Sequence, residues 1–349
     1  MSEMSTNMVS SRGIQLSGRE FKVLDPRDPA TGSGGAELSD ASVVNRENQW
    51  WMVLAGQAHG YGATEIYSAS LPAGAPLSGQ GWTLTRNPAR ELLPLAGQSL
   101  SGDWDGKGGR HCPSYVRGWD PREGTWVERI YYAGAAENLW GPYTIGFLQW
   151  DGAQWLDQAE PAFVANEKWE HGSVYEPNLV YHDGRWKMWY VAGSNQEDYL
   201  VHGYAESQDG RTGWTKHEVF APPEMKIFDF CVLQRGDAFD AIFSRVWLGA
   251  SAPPAETGLW WTRARNPSGK LSDWGAPIQI MSAEDRGWHS GPWKPSFQFD
   301  EQAGSRAVVF FDGTYRTDDP GPFPFAFTLG CLEIDLPADL FSMTTGEIR

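Results

Sequence analysis

The chain has 349 residues and a formal net charge of -16, with 44 acidic against 28 basic side chains. That balance argues against nucleic acid or an anionic membrane as partner, since both attract basic patches, and leaves a small-molecule or oligosaccharide ligand. Three cysteines (Cys112, Cys231, Cys331) are too scattered for a disulfide framework or a structural zinc site, and no run approaches the roughly 20 apolar residues of a membrane span. The first 30 residues lack the basic start and apolar run of a secretory signal, so a cytoplasmic setting is expected.

Residues 1–36 form an N-terminal segment, small and polar at both ends, whose first dozen residues are expected to be loose. Within it, residues 21–24 (Phe-Lys-Val-Leu) read as a strand. From residue 37 the chain repeats. Five tetrads each open a hairpin: Asp40-Ala-Ser-Val, Cys112-Pro-Ser-Tyr, Glu176-Pro-Asn-Leu, Asp229-Phe-Cys-Val and Lys294-Pro-Ser-Phe. In the third repeat the hairpin is most explicit, with apolar runs at 178–181 and 186–191 separated by His-Asp-Gly-Arg. Second strands are predicted at 50–55, 127–133, 186–192, 238–245 and 306–311, and third strands at 65–70, 144–150, 200–207, 258–264 and 325–334. Trp82, Trp155, Trp214 and Trp274 mark a fourth strand in the first four repeats.

The fifth repeat has no such strand before the chain ends. A radial array of sheets must close or leave an edge exposed, and residues 21–24 supply the missing strand. The prediction is an all-β, five-bladed propeller over 37–336, with four-stranded antiparallel blades, closed by its own N-terminus and followed by a tail over 337–349. The connections at about 83–110, 156–175, 215–228 and 275–293 then rim the mouth of the central channel.

In such a propeller the innermost strands converge on the axis, which brings together Asp40, Cys112, Glu176, Asp229 and Lys294, with His111 beside the second. Burying unpaired charges costs several kcal/mol each, so three carboxylates and a lysine here point to a working site. The bland alternatives are backbone hydrogen bonds at blade junctions for the acids, a counter-ion role for Lys294 and inert packing for Cys112. His111, His171 and His289 fall near the rim. Most tryptophans read as packing between blades; Trp104, Trp140, Trp169, Trp247, Trp288 and Trp293 fall outside the repeat register and are candidates for stacking on a ligand.

The acid-Pro-Asn-aliphatic opening, the Asp-Gly-Arg turn and the five repeats resemble the five-bladed propeller glycoside hydrolases. These are the family 43 arabinanase and xylosidase group and the family 32 and 68 invertase and levansucrase group. The resemblance spans about 37–336. It implies a blade one aspartate as base or nucleophile, matched by Asp40, a blade three aspartate that orients and tunes, and a blade four glutamate as general acid. Here the last two are exchanged: Glu176 stands in blade three and Asp229 in blade four. The implied activity is cleavage of a terminal glycosidic bond, with Asp40 activating water or attacking the anomeric carbon and Glu176 or Asp229 protonating the leaving oxygen. The acid should be whichever lies farther from Lys294 in the drier setting, because a cation lowers and burial raises a carboxyl pKa. Lys294, His111, His289, Trp104, Trp140, Trp247 and Trp293 are the candidate substrate contacts. Two alternatives stand beside this: a diverged propeller that binds a sugar or polar metabolite unchanged, and metal-assisted chemistry with a divalent cation such as calcium held by the acids with His111 or His289.

Overall fold

A computed structural model of the chain describes residues 4–9, 15–26, 28, 37–57, 63–78, 81–97, 103–138, 140–194, 199–217, 219–246, 256–282, 289, 291–299, 306–314 and 327–337. Two strands come first in the chain, β1 (Met4–Val9) and β2 (Gln15–Leu24). Blade one follows as β3 (Glu37–Arg46), β4 (Gln49–Gln57), β5 (Glu65–Ser70) and β6 (Thr83–Leu84). Blade two holds β7 (Gly109–Asp120), β8 (Thr125–Ala135), β9 (Tyr143–Trp150) and β10 (Trp155–Leu156). Blade three holds β11 (Val174–His182), β12 (Arg185–Ser194), β13 (Tyr199–Ser207) and β14 (Thr215–Lys216), and blade four β15 (Ile227–Arg235), β16 (Ala238–Arg245), β17 (Gly258–Ala264) and β18 (Ile278–Ser282). Blade five is made of β19 (Pro292–Phe299), β20 (Arg306–Thr314) and β21 (Phe327–Asp335), completed by β2 as its fourth strand.

The predicted closure is therefore the one observed: Phe21 pairs with Cys331 and Glu20 with Leu332. Two strand placements differ from the sequence reading. Met4–Val9 is not loose but adds a fifth, outer strand to the closing blade. Trp274 lies ahead of the fourth strand of its blade rather than in it, because the strand begins at Ile278. Residues 325 and 326 of the predicted last strand lie outside the described residues.

The tetrads do not start their strands, as the sequence suggested, but sit inside them at a bulge. The pairing register slips between Ser39 and Ser42, His111 and Ser114, Tyr175 and Asn178, Ile227 and Phe230, and Trp293 and Ser296. A proline in the second position suits a bulge, where the missing amide costs no ladder bond. Asp40, Cys112, Glu176 and Lys294 have φ between 50° and 57°. Non-glycine residues rarely adopt this left-handed region, and when four equivalent positions do, the fold is holding their side chains in a required direction.

The third tetrad position ties the blades into a ring. Ser42 accepts from the Tyr115 amide, Ser114 from Leu179, Asn178 from Val232 and Ser296 from Val43, while the Phe297 amide meets the Cys231 sulfur. Outside this ring the blades are joined by aromatic packing, as the tryptophan count suggested. Trp82 of blade one lies edge-on to Phe310 of blade five, and Trp186 of blade three sits 6.0 Å from Tyr131 of blade two. Fully burying such side chains contributes about 1.5–3 kcal/mol each by area alone.

Candidate active site

The axial side chains converge as the repeat register implies. Cys112 Sγ donates to Glu176 Oε1 at 2.9 Å, and its amide donates to Asp40 Oδ2 at 3.1 Å. One oxygen each from Asp40 and Glu176 and the Cys112 sulfur lie within 4.8 Å of one another. The Lys294 ammonium is bonded directly to Glu176 Oε2 and stands 3.7 Å from Asp229 Oδ1. Asp229 Oδ2 accepts both the Lys294 amide, at 3.0 Å, and the Ser244 hydroxyl, at 2.6 Å. All five side chains are buried.

A fourth carboxyl, Asp312 of β20, completes the group. Its Oδ2 accepts the Asp40 amide at 2.8 Å. Burial, reinforced by the Asp40 charge, raises its pKa well above the ordinary carboxyl value and keeps it neutral beside Asp40. Burial likewise pushes Glu176 up, Lys294 pulling the other way and Asp229 and Asp40 adding to the rise. Burial opposes the charge on Lys294, yet Glu176 and the surrounding acids outweigh it and hold the lysine cationic. The Cys112 thiol is pushed well up by burial and by the Asp40 and Glu176 charges, so it is a packed donor and no nucleophile. Burial lowers His111, whose Nε2 lies 2.8 Å from the Gly108 carbonyl oxygen.

A cavity of about 110 Å³ opens onto this group. Its wall brings together Glu37, Asp40, His111, Cys112 and Glu176 with the rings of Trp140, Tyr143, Tyr175, Phe228 and Trp293. Asp229 and Lys294 are not in that wall. In blade four the bulge holds Phe228 and Asp229, so Phe228 takes the place on the wall that Asp40, Cys112 and Glu176 take in theirs. Asp229 alone among the five axial residues is not left-handed.

The remaining predicted contacts divide. Trp140, half exposed, and Trp293 reach the cavity. Trp104 does not: it stacks on Tyr132 at 5.4 Å, and its indole donates to the Gln158 carbonyl. Trp169 lies against Tyr190 in blade three. His289 is fully buried against Phe311, with Nε2 2.8 Å from Glu20 Oε1, where it fastens the closing strand instead of facing the channel. Trp247 and Trp288 lie outside the described residues. Glu37 and Asp312 were missed by sequence reasoning; the signal available for Glu37 was an acid on the mouth side of an inner strand, three residues before an axial aspartate.

The Asp40, Cys112 and Glu176 set is the one place among the described residues with clustered metal-ligand types. It does not fit calcium, which takes six to eight oxygen ligands. A thiol supplies one donor here and the Lys294 ammonium already neutralises Glu176.

No protein-family model and no curated protein sequence matches the chain. Solved structures do match over nearly its whole length. A family 117 glycoside hydrolase of the marine bacterium Zobellia galactanivorans superposes with a TM-score of 0.62 at 11% identity, covering 93% of this chain and 92% of that one. The catalytic domain of the Coprinopsis cinerea family 62 α-L-arabinofuranosidase gives 0.59 at 8% identity, covering 90% and 95%. The Cellvibrio cellulosa α-L-arabinanase, in complex with arabinohexaose, gives 0.55 at 11% identity, covering 86% and 93%. At such identities the likeness is one of fold: the chain has the five-bladed architecture of these glycoside hydrolases and is distant from them in sequence.

Proposed function

We propose that the protein is a glycoside hydrolase that removes a terminal sugar held in the axial cavity. The observation that carries this reading is the convergence of Asp40 and Glu176, both in strained left-handed backbone, on one wall of an aromatic pocket at the propeller axis. A cavity smaller than the roughly 300–1,000 Å³ of drug-sized ligand sites suits one sugar ring better than a polymer. Asp40 is the base or nucleophile: the Cys112 amide on its carboxyl and the bond from its own amide to Asp312 fix its direction. One oxygen of Glu176 lies within 4.8 Å of one of Asp40, closer than the about 6.5–9.5 Å that inverting catalysis leaves between acid and base. Tied to Lys294, Glu176 orients and tunes Asp40.

The test is a screen of aryl glycosides of arabinofuranose, xylose, fructose and galactose, run with the wild type and Asp40→Asn. Turnover that disappears in the variant supports the reading; turnover that survives it excludes Asp40. A second reading is favoured by one observation, the direct Lys294 contact that ties up Glu176. In it the cavity binds a sugar or polar metabolite without cleaving it, and the ligand is recovered intact after incubation.

A further inference from the structure

We propose that Glu37, on β3 three residues before Asp40, is the proton donor for the glycosidic bond, an inference that rests on the hydrolase reading above. Neither predicted acid is placed for that task. The ammonium of Lys294 is bonded to Glu176, and Asp229, the farther of the two at 3.7 Å, is off the cavity wall.

Glu37 meets the requirement that both fail. It shares the wall with Asp40, and that wall contains no lysine or arginine among the described residues. The titratable groups around the same cavity are Asp40 on its own strand, His111 and Cys112 on β7, Tyr143 at the start of β9, and Tyr175 and Glu176 on β11. None supplies a cation: burial lowers the pKa of His111, and carboxyls, thiols and phenols carry no positive charge. The Glu37 carboxyl has no hydrogen-bond partner among the described residues that would favour its ionised form. Burial first, and the Asp40 charge second, therefore raise it to about 8. One carboxyl is kept protonated at neutral pH on the same wall as a second, the pair of groups that glycoside hydrolysis uses.

In the reaction the Glu37 proton passes to the glycosidic oxygen as the bond from that oxygen to the anomeric carbon breaks, and the alcohol leaves neutral. Asp40 takes the proton of the water that adds to the anomeric carbon. Exchange with solvent through the open mouth returns the proton from Asp40 to Glu37, so one water is consumed and both carboxyls are restored.

The experiment compares wild type, Glu37→Gln, Glu37→Asp and Asp40→Asn on 2,4-dinitrophenyl and 4-methylumbelliferyl glycosides of the sugar that the screen selects. Dinitrophenolate leaves without a proton; methylumbelliferone is the poorer leaving group. Glu37→Gln should slow the methylumbelliferyl substrate about 10²- to 10⁴-fold and the dinitrophenyl substrate far less. The fall in wild-type kcat/KM as pH rises through about 8 should vanish in the same variant. Glu37→Asp, which keeps the acid one carbon short, should recover part of the lost rate. If Glu37→Gln slows both substrates equally or neither, while Asp40→Asn is inactive, Glu37 is not the donor and the hydrolase reading stands. If the folded wild type cleaves no glycoside in the screen, the hydrolase reading fails and Glu37 has no such role.

Discussion

Two buried charge clusters in this propeller obey opposite rules. Between blades two and three, Asp120 is fully buried and bonded to the Arg129 guanidinium, with Arg211 Nε 2.9 Å away and the Arg122 amide on its other oxygen. Burial raises the Asp120 pKa, but the Arg211 hydrogen bond, the Arg122 amide and Arg129 more than offset it, and the carboxyl titrates below its ordinary value. At the axis, among the described residues, five carboxyls stand against a single lysine, and Glu37, Glu176 and Asp312 are all raised. Paired charge of the first kind serves the fold; surplus like charge of the second kind is a cost that a fold keeps only where chemistry uses it.

The largest test of that contrast is Asp40→Asn. It should lower turnover toward the upper end of about 10²- to 10⁴-fold, while the melting temperature holds or rises because a carboxylate leaves a crowded group. The asparagine oxygen still accepts the Cys112 amide, so the backbone keeps its bond. Asp120→Asn should do the reverse. Leaving Arg129 buried with a neutral partner costs about 3–5 kcal/mol of stability by chemical denaturation, and the folded fraction keeps its specific activity. A large loss of activity per folded molecule in Asp120→Asn, or a large loss of stability in Asp40→Asn, would abolish the distinction between the clusters.

Smaller in effect is the pH dependence of stability. Glu37 titrates at about 8 folded against 4.5 for the ordinary carboxyl. Between those values the folded state holds a proton that the unfolded chain has released, so stability must fall as pH rises through the window. The loss is a few kcal/mol at most, and Glu37→Gln should flatten it. Denaturant midpoints at pH 5, 6.5 and 8 for both proteins measure this, and parallel profiles would mean that Glu37 is ionised like any surface acid.

How much of this was legible follows from where each residue stands in the repeat. Asp40 and Glu176 could be read because tetrad register converts directly into position at the axis, and the closing strand because a missing fourth strand needs a donor. Asp229 was legible as an axial acid but not as one withheld from the cavity, since the one-residue shift of the blade four bulge exists only in the pairing with β16. Asp312 lies in a second strand and, followed by Gly313, has the composition of a turn. Glu37 precedes the tetrad, and its importance comes from the cations its surroundings lack, which no local pattern reports. His289 and Trp104 show the converse. Both fall in loops, where chemistry often sits, yet burial commits one to closing the ring and the other to packing on Tyr132.

The smallest prediction concerns the ring that carries the axis. Ser114→Ala removes the acceptor of the Leu179 amide, a contact between blades two and three at the level of Cys112 and Glu176. A net hydrogen bond contributes about 0.5–1.5 kcal/mol, and a buried amide left without a partner costs about 1–3. The 3.3 Å length of this bond favours the lower figure. The informative readout is therefore kinetic. The next tetrad is anchored through that amide, so its loss lets Glu176 shift against Asp40, and kcat should drop several-fold with KM little changed, whereas Ser296→Ala, which frees the Val43 amide, should act on Asp40 itself and Ser42→Ala, which frees the Tyr115 amide, on Cys112. Equal stability losses in all three variants with no change in kcat would make the ring a fastening alone, and the aim of the axial carboxyls would then rest on their bulges.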